Sequence, residues 1–451
     1  MSDPIVALAT PTGRSGIGVI RLSGNDALSI AGKLTNDAAF SPAPRIAYLK
    51  QLIDPVLGDV IDEAIVTFFE GPHSFTGEDV VEISCHGSPV VLRRVIDICL
   101  SLDARLADPG EFSLRALANG RMNLAEAEAI RDLIDAQSTA AARQAVRQMS
   151  GELSLSLQPV KDDLLDAIVV LESALEFVED DLPTVENEKL QRKLAQTAEE
   201  LRAIANTYKS GHLIREGLRV AIVGRPNVGK SSLFNALVGS DRAIITDIAG
   251  TTRDQIHERF TIGDIPISLI DTAGLRETTD VVESIGVGRA KATMADSDLV
   301  IVMLDASEPA AEEDRAIIDS VEGLNFIVAA NKVDKVQNRQ LAGVQSLIET
   351  VLISAKTGEG LDDLRAAMIR PFSTDDASAT GFLITDARHY DLFVRAGAEL
   401  EQSIGQLQEK LSEEIVLIGL HNALRYLGEV TGETTTEDML TRIFSTFCIG
   451  K

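Results

Sequence analysis

The sequence predicts a multidomain protein of mixed α/β and α class. It would have an N-terminal α+β domain, a helical domain and, inserted into the helical domain, a doubly wound domain built on a glycine-rich loop. Three patterns predict this. Short β-prone and helix-prone stretches alternate up to about residue 120, strands and helices alternate from 218 to about 370, and amphipathic helical patterns flank that second block. We therefore expect domains at 1–120, 121–214, 215–371 and 372–451, with the second and fourth forming one discontinuous helical domain.

Composition limits the class of protein. No apolar stretch reaches the roughly 18 residues of a membrane span, and the N-terminus lacks a basic region before an apolar one, so we expect a soluble, cytoplasmic protein with no membrane association. Three cysteines fit a reducing compartment better than a disulfide framework. The net charge of −27 means that any contact with nucleic acid must use a local patch or be shared with a partner.

The N-terminal part contains the elements of a compact α+β domain. The pattern predicts strands over residues 4–10, 17–22, 64–69 and 80–84 and helices over 26–34 and 89–102. From Asn123 the apolar residues recur with the period of a helix. Asn123 can cap this helix, with Glu126 at the reciprocal capping position, and the apolar face continues through Met149. Gly151 and Pro159 interrupt the pattern. Further helices are predicted over 160–178, 189–208, 386–411, 415–428 and 437–447.

The inserted block opens with a phosphate-binding loop. A β-branched apolar run over 218–223 leads into Gly224-Arg225-Pro226-Asn227-Val228-Gly229-Lys230-Ser231, followed by Ser232 and a helix. The glycines let main-chain N–H groups, including that of Val228, surround phosphate oxygens. Lys230 supplies a positive charge to the outer phosphates, and the Ser231 hydroxyl can ligate Mg²⁺. The alternative is a glycine-rich turn before an ordinary helix.

Three more nucleotide motifs follow in order, each at the carboxyl end of a predicted strand. They are Asp271-Thr272-Ala273-Gly274, Asn331-Lys332-Val333-Asp334 and Ser354-Ala355-Lys356. Asp271 can hold Mg²⁺ through water, and the Gly274 N–H can meet a γ-phosphate. A carboxylate such as Asp334 can accept both N–H groups on one edge of guanine, whereas adenine would leave it unpaired. The sequence therefore predicts guanine-nucleotide binding.

A switch loop can be assigned because these motifs resemble those of the translation-factor-related GTPases. It reads Thr246-Asp247-Ile248-Ala249-Gly250-Thr251-Thr252-Arg253-Asp254. Thr252 would complete the Mg²⁺ shell; the alternative is a Gly/Thr-rich surface loop. Leu275 occupies the position where Ras-like enzymes place a water-orienting glutamine, so hydrolysis must use another group. Arg276, Glu277, Asp280 and Glu283 follow it, and Arg253 and Arg276 are candidate arginine fingers.

The whole chain resembles the MnmE (TrmE) family of bacterial tRNA-modification GTPases. Besides the P-loop and switch loop, the resemblance is carried by the terminal Cys448-Ile449-Gly450-Lys451 and by Gly71-Pro72-His73-Ser74-Phe75-Thr76-Gly77-Glu78-Asp79. It implies an N-terminal folate-binding-like domain and an inserted Ras-like GTPase domain. It also implies that two nucleotide-binding domains dimerise across the nucleotide in a K⁺-dependent manner, with Asn227, Thr246, Ile248 and Thr251 as K⁺ ligands, and that Glu283 orients water. From the residues alone, Glu283 reads as an ordinary exposed helix glutamate.

The same resemblance implies a constitutive homodimer whose N-terminal domain binds a methylene- or formyl-tetrahydrofolate. Arg21, Glu82, Arg121 and Lys451 would contact it, although the family often has lysine where this chain has Arg121. Cys448 would take part in the modification chemistry; an inert cysteine is the alternative. Cys85-His86 invites a metal or dyad interpretation, but with no second such pair nearby a packing role is favoured.

The function implied by the resemblance is hydrolysis of GTP in tRNA modification. The GTPase would work with the FAD-containing MnmG protein, as a heterotetramer, to add a carboxymethylaminomethyl or aminomethyl group to the wobble uridine of certain tRNAs. Two alternatives stay open at this point: a ribosome-assembly GTPase of the Era or Der type, which would need an RNA-binding module, and a GTP-dependent scaffold without catalysis.

Overall fold

A computed structural model describes residues 3–37, 39–176, 184–240, 257–270, 297–336, 350–372 and 382–450. Its strands are β1 (Ile5–Leu8), β2 (Ile17–Ser23), β3 (Ala47–Ile53), β4 (Val60–Phe69), β5 (Val80–His86), β6 (Arg105–Leu106), β7 (Leu218–Gly224), β8 (His257–Ile262), β9 (Ile265–Ile270), β10 (Leu299–Asp305), β11 (Phe326–Asn331) and β12 (Thr350–Leu352).

The helices in the same part of the chain are α1 (Ala27–Leu34), α2 (Pro89–Ser101), α3 (Glu111–Ala118), α4 (Leu124–Asp135), α5 (Thr139–Met149), α6 (Glu152–Glu176), α7 (Thr184–Asn206), α8 (Tyr208–Glu216), α9 (Lys230–Ser240), α10 (Glu312–Ser320), α11 (Leu361–Ile369), α12 (Ala387–Gln408), α13 (Glu413–Thr431) and α14 (Glu437–Phe444). Two compact units result. The first comprises Met1–Arg131, Gln148–Val178 and Ser412–Lys451, and the second comprises Asp132–Arg147 and Glu179–Leu411.

The first unit is built on a six-stranded sheet in the order β3-β4-β5-β2-β1-β6. Neighbouring strands are antiparallel except β1 and β6, which are parallel. Ile20 and Leu22 of β2 point into the core under α1 and α2. Because side chains alternate along a strand, Arg21 lies on the other face of the sheet. That face carries two of the predicted folate residues, Arg21 and its cross-strand partner Glu82.

Helices complete the first unit. The Asn123 Oδ1 accepts from the Glu126 N–H at 2.9 Å and the Glu126 Oε2 accepts from the Asn123 N–H at 3.0 Å, which is the reciprocal cap that the sequence predicts at the start of α4. α6 packs against α13, and Lys161 joins them by donating to Glu433 at 2.8 Å.

The second unit contains a six-stranded sheet in the order β12-β11-β10-β7-β9-β8. All neighbouring pairs are parallel except β8 and β9. Every residue of β10 is buried, as expected of a central strand covered on both faces. The carboxyl ends of β7, β10 and β11 meet at one edge, where open α/β sheets bind ligands. α7 and α12 pack against each other in the same unit.

The predicted fold class is confirmed, with differences in particular elements. The helical face predicted to run unbroken through Met149 was wrong, because residues 136–138 separate α4 from α5. Pro159 does not interrupt a helix either. It lies inside α6, where the missing N–H costs about 3 kcal/mol. Burial of Leu157, Val160 and Leu164 on the same helix offsets that cost. β3, β6 and α3 were not predicted.

None of the helices described by the structure combines the length and the apolar character needed to cross a lipid bilayer. The predicted boundaries at 120, 214 and 371 stay predictions.

Candidate functional site

The P-loop joins the end of β7 to the start of α9. Gly224, Asn227 and Gly229 all have positive φ angles, of 152°, 62° and 104°. These angles turn the chain tightly enough for α9 to begin at Lys230 with its N-terminus beside the loop. The Lys230 Nζ donates to the carbonyls of Gly224 and Arg225, both at 2.8 Å. A positive charge is therefore held at the loop, and the exposed Ser231 and Ser232 occupy the first turn of α9.

Two glycines of the loop lie against the neighbouring strands. A Cβ on Gly229 would lie 2.2 Å from the Asn331 Nδ2, and one on Gly224 would lie 2.6 Å from the Met303 carbonyl oxygen. Side-chain atoms do not approach other atoms this closely, so the contact of the loop with β10 and β11 requires glycine at both positions.

Asn331 joins the phosphate loop to the segment that begins at Ser354. Its buried side chain donates from Nδ2 to the Val228 carbonyl at 2.8 Å, and its Oδ1 accepts from the Ala355 N–H at 2.9 Å. The Ser354 Oγ in turn donates to the Asp334 Oδ1 at 2.8 Å. Three motifs that are far apart in sequence are thus connected by three side-chain hydrogen bonds. The carboxylate of Asp334 is exposed, as is Lys356.

Lys332 makes a further connection, to a residue that the sequence interpretation missed. Its Nζ donates to the Asn227 carbonyl at 2.8 Å and to the Asp305 Oδ2 at 2.5 Å. Burial by itself would raise the pKa of the Asp305 carboxyl, but hydrogen bonds from Lys332 and Ser307 outweigh it and hold the pKa below its usual value. The available signal was an aspartate ending an apolar run, Leu299–Asp305, in a block of alternating strands and helices.

Asp314 is a second missed residue. This buried carboxylate of α10 accepts from the Arg225 Nε at 2.6 Å, so it fixes the second residue of the P-loop. Its spacing from the P-loop, 89 residues, gives no signal in the sequence.

Many predicted nucleotide residues lie outside the described part of the chain. They are Thr246, Asp247, Ile248, Ala249, Gly250, Thr251 and Thr252 of the switch loop, Asp271, Thr272, Ala273 and Gly274, and the candidate catalytic residues Arg276 and Glu283. The predicted roles of these residues stay predictions.

A second cluster lies on the face of the first unit's sheet that is opposite α1 and α2. Arg21 of β2 and Glu82 of β5 are cross-strand partners. The Arg21 Nε and Nη2 donate to the Glu82 Oε1 at 2.9 Å and 2.7 Å, and its Nη1 donates to the Gly450 carbonyl at 3.2 Å. The guanidinium also lies 5.4 Å and 5.7 Å from the ring centroids of Phe75 and Phe112.

The C-terminal segment reaches this cluster through close backbone contacts. The Gly110 N–H donates to the Cys448 carbonyl at 3.4 Å. Gly450 has φ 94°, and a Cβ there would lie 2.7 Å from the Leu8 carbonyl oxygen. The structure therefore brings Arg21, Glu82 and the segment containing the exposed Cys448 together. Arg121 contacts the loop that carries Phe75, donating from Nε to the Ser74 carbonyl at 3.1 Å, whereas Lys451 lies outside the described residues.

The other two cysteines are buried. Burial raises the pKa of the Cys85 and Cys99 thiols to about 12, so neither forms a thiolate near neutral pH. Cys85 packs in the core, and the His86 Nδ1 lies 2.7 Å from the Asp62 Oδ1. Within the described ranges, no three His, Cys, Asp or Glu side chains are grouped so that they could hold a metal ion.

Comparison with known proteins gives a consistent result over the whole chain. The model of the "MnmE helical domain" matches residues 124–448, and that of the "GTP-binding protein TrmE N-terminus" matches residues 4–121. Proteins described as "tRNA modification GTPase MnmE" from Koribacter versatilis, Aquifex aeolicus and Alkaliphilus oremlandii are 44%, 42% and 40% identical. Each alignment covers 100% of both chains.

Proposed function

The chain belongs to the MnmE (TrmE) family of tRNA modification GTPases, and on that basis we propose that it is a homodimeric, potassium-stimulated GTPase. With an FAD-containing MnmG-type partner, as a heterotetramer in the cytoplasm, it adds a carboxymethylaminomethyl or aminomethyl group to the wobble uridine of certain tRNAs. A methylene- or formyl-tetrahydrofolate serves as the one-carbon donor.

The observation that carries the proposal is the position of Asn331. Its hydrogen bonds to Val228 and Ala355 connect the phosphate loop with the segment expected beside the base. This arrangement suits a ligand that has phosphates at one end and a purine at the other. Asp334 then selects guanine, because its exposed carboxylate can accept two N–H groups together.

Metal ions complete the nucleotide site in this proposal. Ser231 and Thr252 hold Mg²⁺, and Asn227, Thr246, Ile248 and Thr251 hold K⁺. The described members fit these ions: Ser231 offers an exposed hydroxyl at the start of α9, and Asn227 offers an exposed amide oxygen. When bound, K⁺ supplies the positive charge that an arginine finger supplies in other GTPases. Glu283 orients the attacking water, and Arg276 is a second catalytic candidate.

The cluster around Arg21 supports a folate site. The two hydrogen bonds from Arg21 to Glu82 both go to the Oε1 of Glu82. The Oε2 of Glu82 therefore keeps acceptor capacity for the amino edge of a pterin. Arg121 and Lys451 meet the folate carboxylates, and Phe75 and Phe112 provide aromatic surface next to the guanidinium. Cys448, held beside Gly110, takes part in the modification chemistry.

Steady-state GTP turnover in KCl and in NaCl at equal ionic strength tests the GTPase proposal. We expect faster turnover in KCl. Equal rates in the two salts would contradict potassium stimulation, and no turnover in either would favour the GTP-dependent scaffold.

Equilibrium binding of 5-formyl-tetrahydrofolate tests the second site and the ribosome-assembly alternative, which predicts no binding. We expect binding, and we expect Glu82→Ala to weaken it roughly 10-fold or more because a charge-assisted acceptor is lost. Glu63→Ala, which removes an exposed carboxylate from β4, is the matched control and should bind as the unmodified chain does.

A further inference from the structure

Two hydrogen bonds connect the end of β10 to the P-loop through one lysine. The Asp305 Oδ2 accepts from the Lys332 Nζ at 2.5 Å, and the same Nζ donates to the Asn227 carbonyl at 2.8 Å. The Asp305 side chain is 6% exposed and that of Lys332 is 24% exposed, so the ion pair is shielded from competing water. A charge-assisted bond in such a place is strong and directional.

The carboxylate of Asp305 is itself fixed. Its Oδ1 accepts from the Ser307 N–H at 2.9 Å and from the Ser307 Oγ at 2.5 Å. Since both oxygens are engaged, Asp305 cannot rotate without breaking bonds. It therefore fixes the position of the Lys332 ammonium, which would otherwise move freely on its four-carbon stem.

Lys332 acts on a strained part of the loop. Asn227 has φ 62°, a left-handed conformation that non-glycine residues seldom adopt and that neighbouring structure must maintain. Here the carbonyl of Asn227 is held by Lys332 and the next carbonyl, that of Val228, by Asn331. These two bonds restrain the two successive peptide groups that follow Asn227, and so they restrain the direction in which the Asn227 side chain leaves the loop.

We propose that Asp305 is a positioning residue for the response to monovalent cations: through Lys332 it holds Asn227 in the orientation that lets its side chain ligate K⁺. The inference rests on the proposed function, because it takes Asn227 as a K⁺ ligand. It goes further because it assigns cation sensitivity to the carboxylate of Asp305. That carboxylate acts on the P-loop through Lys332 and is not itself a proposed ligand of the ion.

The test is the K⁺ concentration that gives half-maximal stimulation of turnover at saturating GTP. Asp305→Asn keeps the size of the side chain but removes the charge that holds Lys332. We expect the half-maximal concentration to rise roughly 10- to 100-fold, the usual effect of losing a residue that orients a ligand of a metal ion. Lys332→Ala should cause a similar rise, and the double variant should add little to either single change.

The second readout does not depend on turnover. Hydrogen exchange of the amides in residues 224–232, measured without nucleotide or K⁺, should be faster in Asp305→Asn than in the unmodified chain, because the loop loses a restraint. Asp298→Asn is the matched control. Asp298 directly precedes β10, which ends at Asp305, and it accepts from the main-chain N–H of Arg219 at 2.8 Å. Its substitution should change neither the half-maximal K⁺ concentration nor the exchange of the P-loop amides.

The outcomes distinguish a failure of the proposed function from a failure of the inference about Asp305. If the unmodified chain ignores K⁺, the proposed function and this inference both fail. If the unmodified chain responds and Asp305→Asn has the same half-maximal K⁺ concentration, the inference alone is overturned. Should Asp305→Asn fail to fold, Ser307→Ala replaces it: it removes one of the two bonds that fix Asp305 and should raise the K⁺ requirement by a smaller factor, whereas an unchanged requirement would overturn the inference.

Discussion

Gly229 is the P-loop residue that lies against Asn331, the last residue of β11. Its φ of 104° is unfavourable for any side chain, and a Cβ would lie 2.2 Å from the Asn331 Nδ2. Gly229→Ala should therefore displace Asn331 from Val228 and Ala355 and weaken GDP binding roughly 100-fold, from backbone strain and the lost contacts together.

Titration with a fluorescent GDP analogue measures this effect. Gly239→Ala is the control, because Gly239 belongs to α9 and a Cβ there meets nothing within 4 Å. GDP affinity should be unchanged in the control. An unaltered affinity in Gly229→Ala would show that the loop tolerates the displacement of Asn331.

Residues of the nucleotide site differ in how well the sequence predicts them. Gly224, Gly229 and Lys230 belong to a pattern with fixed spacing, so their shared location follows from the motif alone. Asp305 and Asp314 have no such pattern: an aspartate after a strand or in a helix is common. Their roles depend on which cation lies opposite in space, Lys332 for one and Arg225 for the other, and only the folded chain provides that information.

At the scale of elements, a half-buried charge cluster in the second unit joins the last turn of α4, α8 and the start of α12. Arg215 in α8 donates to Asp132 in α4 at 2.8 Å and to Asp386, the N-cap of α12, at 2.7 Å. Burial favours a raised pKa for Asp386, but the charges of His389 and Arg215 and the bonds to Arg215 and Arg388 outweigh it and lower the pKa well below the usual value. The ionised carboxylate is thus the form that stabilises the fold.

Asp386→Asn should lower the free energy of unfolding by about 2 kcal/mol at pH 7, since the amide can still cap α12 but loses the charge opposite Arg215. The sign of the pH dependence follows from the lowered pKa. The stabilisation is fully present above the unfolded-state pKa, near 3.8, and is lost as pH falls through the folded-state pKa. Urea unfolding between pH 3 and pH 8 should show a constant difference from the unmodified chain above about pH 5 and a shrinking difference below it.

A difference between Asp386→Asn and the unmodified chain that grew on acidification would mean that the carboxyl is protonated in the folded state. Asp391→Asn provides a comparison, because Asp391 lies further along α12 and forms an exposed pair with Arg395. That change should cost less than about 1 kcal/mol.

Elements were predictable where one periodic signal dominated. Leu218–Gly224 and Phe326–Asn331 are apolar runs that end in nucleotide motifs, and the Asn123 cap marks the start of α4. β3 was missed because its apolar alternation is weak. Its exposed positions, Ala47, Leu49 and Gln51, include an apolar residue, as an edge strand can, and Lys50 lies on the more buried face. The break between α4 and α5 carries no proline or glycine. Its local signal is Ser138, whose Oγ accepts from the Ala141 N–H at 3.1 Å at the start of α5, and the prediction missed it because the apolar face continues through the break.

At the scale of the whole molecule, the acidic composition acts against the compact state. The 69 acidic and 42 basic residues leave a net charge of −27, and its self-repulsion extends over a Debye length. Short-range pairs such as Arg215 with Asp386 are half-buried and are screened less by salt than exposed charges are. Long-range repulsion and local pairing should therefore respond differently to ionic strength.

Thermal unfolding in tetramethylammonium chloride separates the effect of long-range repulsion from that of local ion pairs. This salt raises the ionic strength without adding K⁺. Raising the salt from about 20 mM to about 200 mM shortens the Debye length from roughly 20 Å to roughly 7 Å and should stabilise the unmodified chain. A gain of about 1 kcal/mol would raise the midpoint by about 2–4 °C for a unit of 150–250 residues. The midpoint difference between Asp386→Asn and the unmodified chain should change much less with salt than the midpoint itself, because salt screens the net charge more strongly than the half-buried pair. A midpoint that fell with added salt would show that favourable surface pairs outweigh the repulsion, and the acidic surface would then stabilise the fold instead of opposing it.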